Sequence, residues 1–172
     1  MDTQLAISVR RAQPVDAPAL AELVNRAYAV EGFFVEGQRT NADEIVGLFR
    51  SGSFLVLENN GGLAAAVYVE PSGESGYIGM LSVDPGLQGI GIGTRLVRIA
   101  EAMCEAMGST SVRLRIVNLR EELGRWYRSL GYREVGTTPY THRPVKQPCH
   151  FVEMQKLIGA GEAGMPVGAS CP

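Results

Sequence analysis

The sequence predicts a mixed α/β domain built on a mostly antiparallel sheet, and three features of its 172 residues predict it. Seven short strand-like runs outnumber four helical ones. Most successive strand runs are joined by short turns rich in Gly, Asn or Pro, the pattern of antiparallel hairpins. One long helical stretch separates the runs that end at Val83 and begin at Val112, and such a crossover is what parallel neighbours require. The length suits a single domain, at ~150 residues each. Residues 1–158 form that domain, and the Gly/Ala/Pro-rich residues 159–172 read as a tail.

The elements follow in order. Ile7-Ser-Val-Arg10 alternates as a short strand. Asp16 is placed to cap a helix with Pro18 in its first turn, and Leu20, Leu23, Val24 and Ala27 recur at helical spacing. Residues 30–39 have two glycines and no period, so a loop is expected before a second helix at 41–49, with Ile45, Leu48 and Phe49 inward. Residues 53–58 and 63–70 read as strands joined by Asn59-Asn-Gly-Gly62, a hairpin signal. A turn at 71–74 leads to a strand at 77–83. From 91 to 107, Ile92, Leu96, Ile99, Ala100, Met103 and Met107 fall at helical spacing, with Arg95, Arg98, Glu101 and Glu105 on the opposite face. Gly108 ends that helix. Residues 112–117 alternate as a strand, 119–130 are helical up to Gly131, and 133–138 and 150–156 close the sheet around a proline-bearing loop at 139–148.

Composition narrows the function. A hydrophobic fraction of 45% with 20% charged residues excludes a disordered chain. Sixteen Lys and Arg against eighteen Asp and Glu leave a net charge of −2, which argues against a nucleic-acid partner. The longest apolar stretch, Leu63-Ala-Ala-Ala-Val-Tyr-Val69, falls short of the ~20 residues of a membrane helix. The N-terminus lacks the basic start and apolar run of a secretory signal. Cys104, Cys149 and Cys171 are odd in number and without CxxC spacing, which fits a reducing compartment and no zinc site. A cytoplasmic protein is expected.

The informative segment is 80–94, Met-Leu-Ser-Val-Asp-Pro-Gly-Leu-Gln-Gly-Ile-Gly-Ile-Gly-Thr. A strand ends, the chain turns at Pro85-Gly86, and glycines at 89, 91 and 93 lead into the long helix. Glycine lets the backbone bend tightly and lets an anion approach it. The first N–H groups of a helix are unpaired and lie at the positive end of its dipole. Such a turn is suited to a phosphate or pyrophosphate without any lysine; the plainer alternative is a packing role alone. A P-loop is excluded, because Gly93 is followed by Thr94-Arg95 rather than Lys-Ser/Thr. A dinucleotide fingerprint is excluded as well. Counting from Gly89 and Gly91 puts Thr94 at the third glycine, and residues 112–117 contain no acidic group.

What does fit is Gln88-x-x-Gly91-x-Gly93 after a strand ending Leu81-Ser82-Val83-Asp84-Pro85. Here the sequence resembles the GNAT superfamily of acyl-coenzyme A-dependent N-acyltransferases, whose pyrophosphate signature is Gln/Arg-x-x-Gly-x-Gly/Ala after such a strand. A second block, Tyr127-Arg-Ser-Leu-Gly-Tyr132, is similar to the family's Tyr-x-x-x-Gly-Phe/Tyr helix end. The order of elements from residue 7 to 158 resembles the family too.

The resemblance implies the GNAT fold, with the strands at 77–83 and 112–117 as a central parallel pair splayed around acetyl-CoA. It implies cofactor contacts from the backbone of Leu81, Ser82 and Val83 and from the amides of Gln88, Gly89, Ile90, Gly91, Ile92, Gly93 and Thr94. The family's asparagine seven residues before the tyrosine is Arg120 here, with Asn118 displaced toward the strand, so either could contact the cofactor. Tyr127 matches the family's general acid at the departing sulfur, and a phenol near pKa ~10 keeps its proton at neutral pH. An N–H near Leu81 would polarise the thioester carbonyl. The general base stays open among Glu31, Glu36, Glu70, Glu74, His142 and a water relay.

The implied acceptor site lies in residues 29–40 and 138–149, with Phe33, Phe34, Arg39, Tyr140 and His142 as its candidates. Aromatic groups with an arginine suit an amine bearing a carboxylate. The expected activity is acetyl transfer from acetyl-CoA to a primary amine of a small molecule or peptide. A non-catalytic acyl-CoA sensor of the same fold is the alternative, a nucleotide-binding regulator a third reading, and a homodimer stays open.

Overall fold

Two tight turns start the sheet. A computed structural model describes residues 7–159, with strands β1 (Ile7–Arg11), β2 (Ser53–Asn59), β3 (Gly62–Ser72), β4 (Ser75–Val83), β5 (Ser111–Val117), β6 (Arg133–Pro139) and β7 (His150–Leu157). The helices are α1 (Ala17–Ala27), α2 (Ala42–Leu48), α3 (Ile92–Ala106) and α4 (Glu121–Ser129). Cys171 and the expected tail beyond residue 159 lie outside the described residues. Between β2 and β3, Asn59 pairs with Gly62 and the two residues between them, Asn60 and Gly61, have φ of 51° and 81°. Positive φ at both positions is a type I′ turn, whose twist matches that of the strands it joins. The next turn is shorter than predicted. Ser72 pairs with Ser75 around Gly73 (φ 59°), so Pro71 sits on β3 opposite Gly76.

The strand order is β1-β2-β3-β4-β5-β7-β6. Every pairing is antiparallel except β4 with β5, as the single helical crossover required. Alternation along β2 feeds both faces of the sheet. Leu55 and Leu57 join the core under α3, with Leu96, Val97 and Ala100. Phe54 and Val56 join the core under α1 and α2, with Leu20, Leu23 and Ile45. Each such side chain, fully buried, contributes roughly 1.5–3 kcal/mol.

Three local expectations are corrected. Asp16 precedes α1, but its carboxylate does not cap that helix; it accepts the Gln13 N–H at 2.7 Å and holds Arg10 at 2.8 and 3.0 Å. The 3-10 turn at Pro14–Asp16 brings the carboxylate back over its own start. The predicted helix at 119–130 begins at Glu121, because Arg120 is non-helical (φ −97°, ψ 64°). The predicted loop at 30–39 opens with a 3-10 turn at Ala29–Phe33, and its Val35 then bridges to Val145.

One seam of the sheet opens. The β4–β5 pairing runs from Ser75↔Ser111 to Tyr77↔Arg113 and stops. On its other side β5 stays paired with β7 as far as Val117↔Phe151, and β4 stays paired with β3 as far as Ala65↔Val83. Within β4 there is a bulge: Ala66 faces Ser82 and Tyr68 faces Gly79, so Val67 stands opposite both Met80 and Leu81. Met80 takes φ 47° there, and Ser82 Oγ donates to the Met80 carbonyl at 2.9 Å. A bulge adds twist and bends its strand, which carries β4 away from β5.

Candidate active site

A cavity of about 620 Å³ fills the open seam. One wall is the unpaired edge of β4 with Leu81 and Val83, and the opposite wall is β5 with Leu114 and Ile116. At the end of β4, Asp84 Oδ1 accepts the Gly86 N–H at 3.0 Å and its Oδ2 meets Arg26 at 3.2 Å. Gln88 Nε2 donates back to the Val83 carbonyl at 3.2 Å. The turn is thereby tied to the strand. Gly89 and Gly91 then take φ of 80° and 88°, where an L side chain is strained. Gly91 is the N-cap of α3, and the first bond of the helix runs from the Arg95 N–H to the Gly91 carbonyl at 3.1 Å. The N–H groups of Ile92, Gly93 and Thr94 therefore stand free at the cavity, at the positive end of the helix dipole. A Cβ at Gly93 would sit 3.5 Å from the Trp126 ring, so this helix start packs directly on α4.

Tyr127 faces the cavity from α4. Its ring is held by Trp126 at 4.7 Å and by Tyr132 at 5.5 Å, and it is 6% exposed. Among the described residues no hydrogen-bond partner meets its hydroxyl. Burial pushes the phenol well above its ordinary pKa, so it is a proton-bearing donor. Tyr28 and Tyr77 line the same space; burial pushes Tyr28 up to about 12 and also raises Tyr77. Arg120 Nη1 donates to Glu31 at 3.0 Å, and the guanidinium also bonds Glu122. Glu31 is 6% exposed, and its burial raises its pKa against the pull of Arg120. His142 is held below the ordinary imidazole range, first by burial and then by Arg39.

The structure brings most of the residues singled out in the sequence to this cleft. Leu81, Val83, Gln88, Gly89, Gly91, Ile92, Gly93, Thr94, Arg120 and Tyr127 line it, as do Arg39, Tyr140 and His142 at its far end. Others stand away from it. Ser82 is buried beneath the bulge, and Ile90 is 62% exposed beyond the turn. Asn118 accepts the His150 N–H at 2.8 Å, joining the end of β5 to β7. Phe33 is 53% exposed, while Phe34 does not line the cleft but is buried against Val35, Val117 and Phe151, the last two of which do line it. Of the base candidates, Glu31 and His142 line the cleft, Glu70 lines the adjoining cavity, and Glu36 and Glu74 line neither.

Sequence reasoning passed over Tyr28 and Tyr77. Tyr28 follows the last apolar position of α1 by one residue, and that adjacency to the predicted acceptor loop was the available signal. Among the described residues no helix is long and apolar enough to cross a membrane, and no cluster of three or more His, Cys, Asp or Glu is placed to hold a metal ion.

Among the described residues a seven-stranded sheet opens at its one parallel seam, with a glycine turn and a free helix start at the mouth, which defines an α/β protein with a cleft of about 620 Å³ between β4 and β5. Residues 50–134 match the Acetyltransferase (GNAT) domain family, and this match supports a GNAT superfamily domain. No curated protein matches the sequence. Among solved structures, the ribosomal-protein-S18-alanine N-acetyltransferase from Escherichia coli superposes with a TM-score of 0.74 at 16% identity, over 96% of this chain and 99% of that one. A Salmonella typhimurium protein described as an acetyltransferase, solved with its cofactor acetyl-CoA, gives 0.72 at 18% identity over 96% and 99%. Nourseothricin acetyltransferase gives 0.69 at 17% identity over 88% and 98%. At these identities the likeness is one of fold.

Proposed function

We propose that the protein moves an acetyl group from acetyl-CoA to a primary amine by direct attack of the amine on the thioester. One observation carries the reading: the unpaired edge of β4, the free amides at the start of α3 and the unpartnered Tyr127 hydroxyl all face one cleft. The residues present fit the cofactor. The glycine turn gives main-chain donors for a pyrophosphate at residues 88–94, and the β4 edge beyond Tyr77 can take an amide-bearing arm as an added strand.

When bound, acetyl-CoA supplies an acyl carbon activated as a thioester. An amide N–H at the Met80–Leu81 bulge, where β4 departs from its ladder with β3, is placed to donate to the acyl oxygen and stabilise the charge developing there. Tyr127 donates to the departing sulfur. Its raised pKa makes full transfer of its own proton uphill, so its role is to hold the thiolate by a hydrogen bond while a proton arrives. The balance is simple: a C–N bond forms, the C–S bond breaks, the nitrogen releases one proton and the sulfur takes one. His142, kept neutral by burial, is the cleft group able to accept the amine's proton, whereas Glu31 is committed to Arg120.

Calorimetry with acetyl-CoA, followed by thiol release across a panel of amines, tests this. Heat of binding and amine-dependent thiol release are expected. Absence of binding, or displacement by ATP or NAD, refutes the cofactor reading. Binding without thiol release from any amine leaves only a sensor.

A further inference from the structure

At its acceptor end the cleft continues into a second cavity of about 830 Å³. The two share Arg39, Tyr77, Gly79, Met80, Arg115 and His142. The shared wall therefore includes the β4 bulge, so a molecule lying in the second cavity reaches the bulge from the side opposite the glycine turn. Four arginines line this second space, Arg39, Arg113, Arg115 and Arg143, against two carboxylates, Glu44 and Glu70.

The pairing of these groups decides what they can bind. Arg143 is taken by Glu44, with both carboxylate oxygens at 2.7 Å, and it also donates to the Gln38 and Arg39 carbonyls. Arg115 is taken by Glu153 at 3.1 Å. Glu70 accepts the Tyr68 hydroxyl at 2.6 Å. In the first cavity Glu31 and Glu122 both sit on Arg120. Among the described residues neither Arg39 nor Arg113 meets a carboxylate. The Arg39 guanidinium lies over the Tyr28 ring at 5.4 Å. Among the described residues its N–H groups meet no acceptor, and a guanidinium's N–H fork is the part that recognises a carboxylate. Tyr140, which lines the first cavity together with Arg39, has a buried hydroxyl with no hydrogen-bond partner, although buried polar groups in folded proteins are nearly always paired.

A polycationic acceptor would need a surplus of free carboxylates; those lining the first cavity are engaged by Arg120, and in the second, among the described residues, Glu70, held by Tyr68, is the one carboxylate without an arginine against two arginines without a carboxylate. The surplus is cationic: Arg39 is half-buried at the wall the two cavities share, and Arg113 is exposed in the second. We propose that the acceptor is an amine bearing a carboxylate, which Arg39 grips through its in-plane N–H groups in the cavity that Tyr140 also lines, with Arg113 drawing the anion in along the second cavity. This deepens the transferase reading and rests on it.

The test compares α-amino acids with their primary amides and with a polyamine, at saturating acetyl-CoA, in wild type, Arg39→Gln and Arg39→Lys. The wild type is expected to favour the free carboxylate over the amide by about tenfold to a hundredfold in KM, the range for losing a charge-assisted hydrogen bond. Arg39→Gln should bring that ratio close to one, and Arg39→Lys should keep part of it. Circular dichroism and melting curves establish that both variants are folded. Amides or the polyamine used as well as free acids, or a ratio that survives Arg39→Gln, overturns the proposal and leaves the transferase reading intact. So does bound acetyl-CoA with neither turnover of any free acid nor binding of its N-acetyl product. Failure of acetyl-CoA itself to bind the wild type overturns both.

Discussion

Tyr127 and Tyr132 stand edge to face at 5.5 Å at one end of α4, and removing the hydroxyl from each should have opposite consequences. The Tyr132 hydroxyl donates to Glu101 Oε1 at 2.9 Å, and the same carboxylate holds Lys156 at 3.0 Å. Tyr132→Phe removes a buried hydrogen bond to a charged group, worth about 1.5–3 kcal/mol. For a domain of this size each kcal/mol is ~2–4 °C in Tm, so melting should fall by roughly 3–12 °C. Tyr127→Phe removes a hydroxyl for which the described residues offer no partner and keeps both aromatic contacts. Its Tm should stay within about 2 °C of wild type or rise, since no paired group is orphaned. Catalysis should reverse the order. Tyr127→Phe should slow thiol release by about 10²–10⁴-fold, the usual contribution of a positioned proton donor, with acetyl-CoA affinity retained. Tyr132→Phe should leave turnover near wild type at temperatures where it is folded. Differential scanning fluorimetry and a thiol-release assay on the same preparations read both. A Tm loss in Tyr127→Phe equal to that of Tyr132→Phe, or undiminished turnover, would refute the idea that this hydroxyl is held unpaired for chemistry.

Three further expectations follow from the geometry. Gly91→Ala places a side chain at φ 88°, costing roughly 1–2 kcal/mol against an unfolded-chain gain of about 0.4–1 kcal/mol; the melt should fall by no more than about 6 °C while acetyl-CoA affinity, by calorimetry, drops more than about tenfold as the amide donors shift. Arg120→Met strands Glu31, and breaking a buried pair this way costs about 3–5 kcal/mol, whereas Glu31→Gln leaves Arg120 its bond to Glu122 and should cost less. Because burial already raises the Glu31 pKa, its contribution to stability is greatest at acid pH and declines as pH rises through the folded value, so the Arg120→Met deficit should be smaller at pH 5 than at pH 8. Asp16 runs the other way: its hydrogen bonds with Arg10 hold its pKa down, so the stability it adds is present above the ordinary carboxylate pKa and is lost as pH falls through the lowered value. Arg10→Gln should flatten that acid limb in pH-dependent melts.

Much of the fold could be read directly from local sequence. Turn residues such as Asn60-Gly61 encode their own φ values, and strand alternation as in Phe54-Leu-Val-Leu57 encodes two buried faces, because both depend on neighbours along the chain. The glycine turn could be read for the same reason: the need for positive φ at Gly89 and Gly91 and the unpaired amides of a helix start are local properties.

The expectations that slipped were set by competing partners that periodicity does not register. Asp16 left its predicted cap because Arg10 and the Gln13 amide compete for the carboxylate. Phe33 and Phe34 do not line the cleft: Phe33 is exposed, and Phe34 packs with Val35, Val117 and Phe151, whose elements meet only in the folded chain. The acceptor end is where local reading ran out. Which two of five arginines are left without a carboxylate depends on Glu44, Glu153 and Glu31 arriving from other elements. The chain alone therefore determined the sheet, the crossover and the donor row at the glycine turn. Only the tertiary structure decided that β4 parts from β5 after Tyr77, that Tyr127 looks into the gap, and that Arg39 stands there uncommitted. Burial and charge pairing are sums over the whole packed molecule, and no window of sequence contains them.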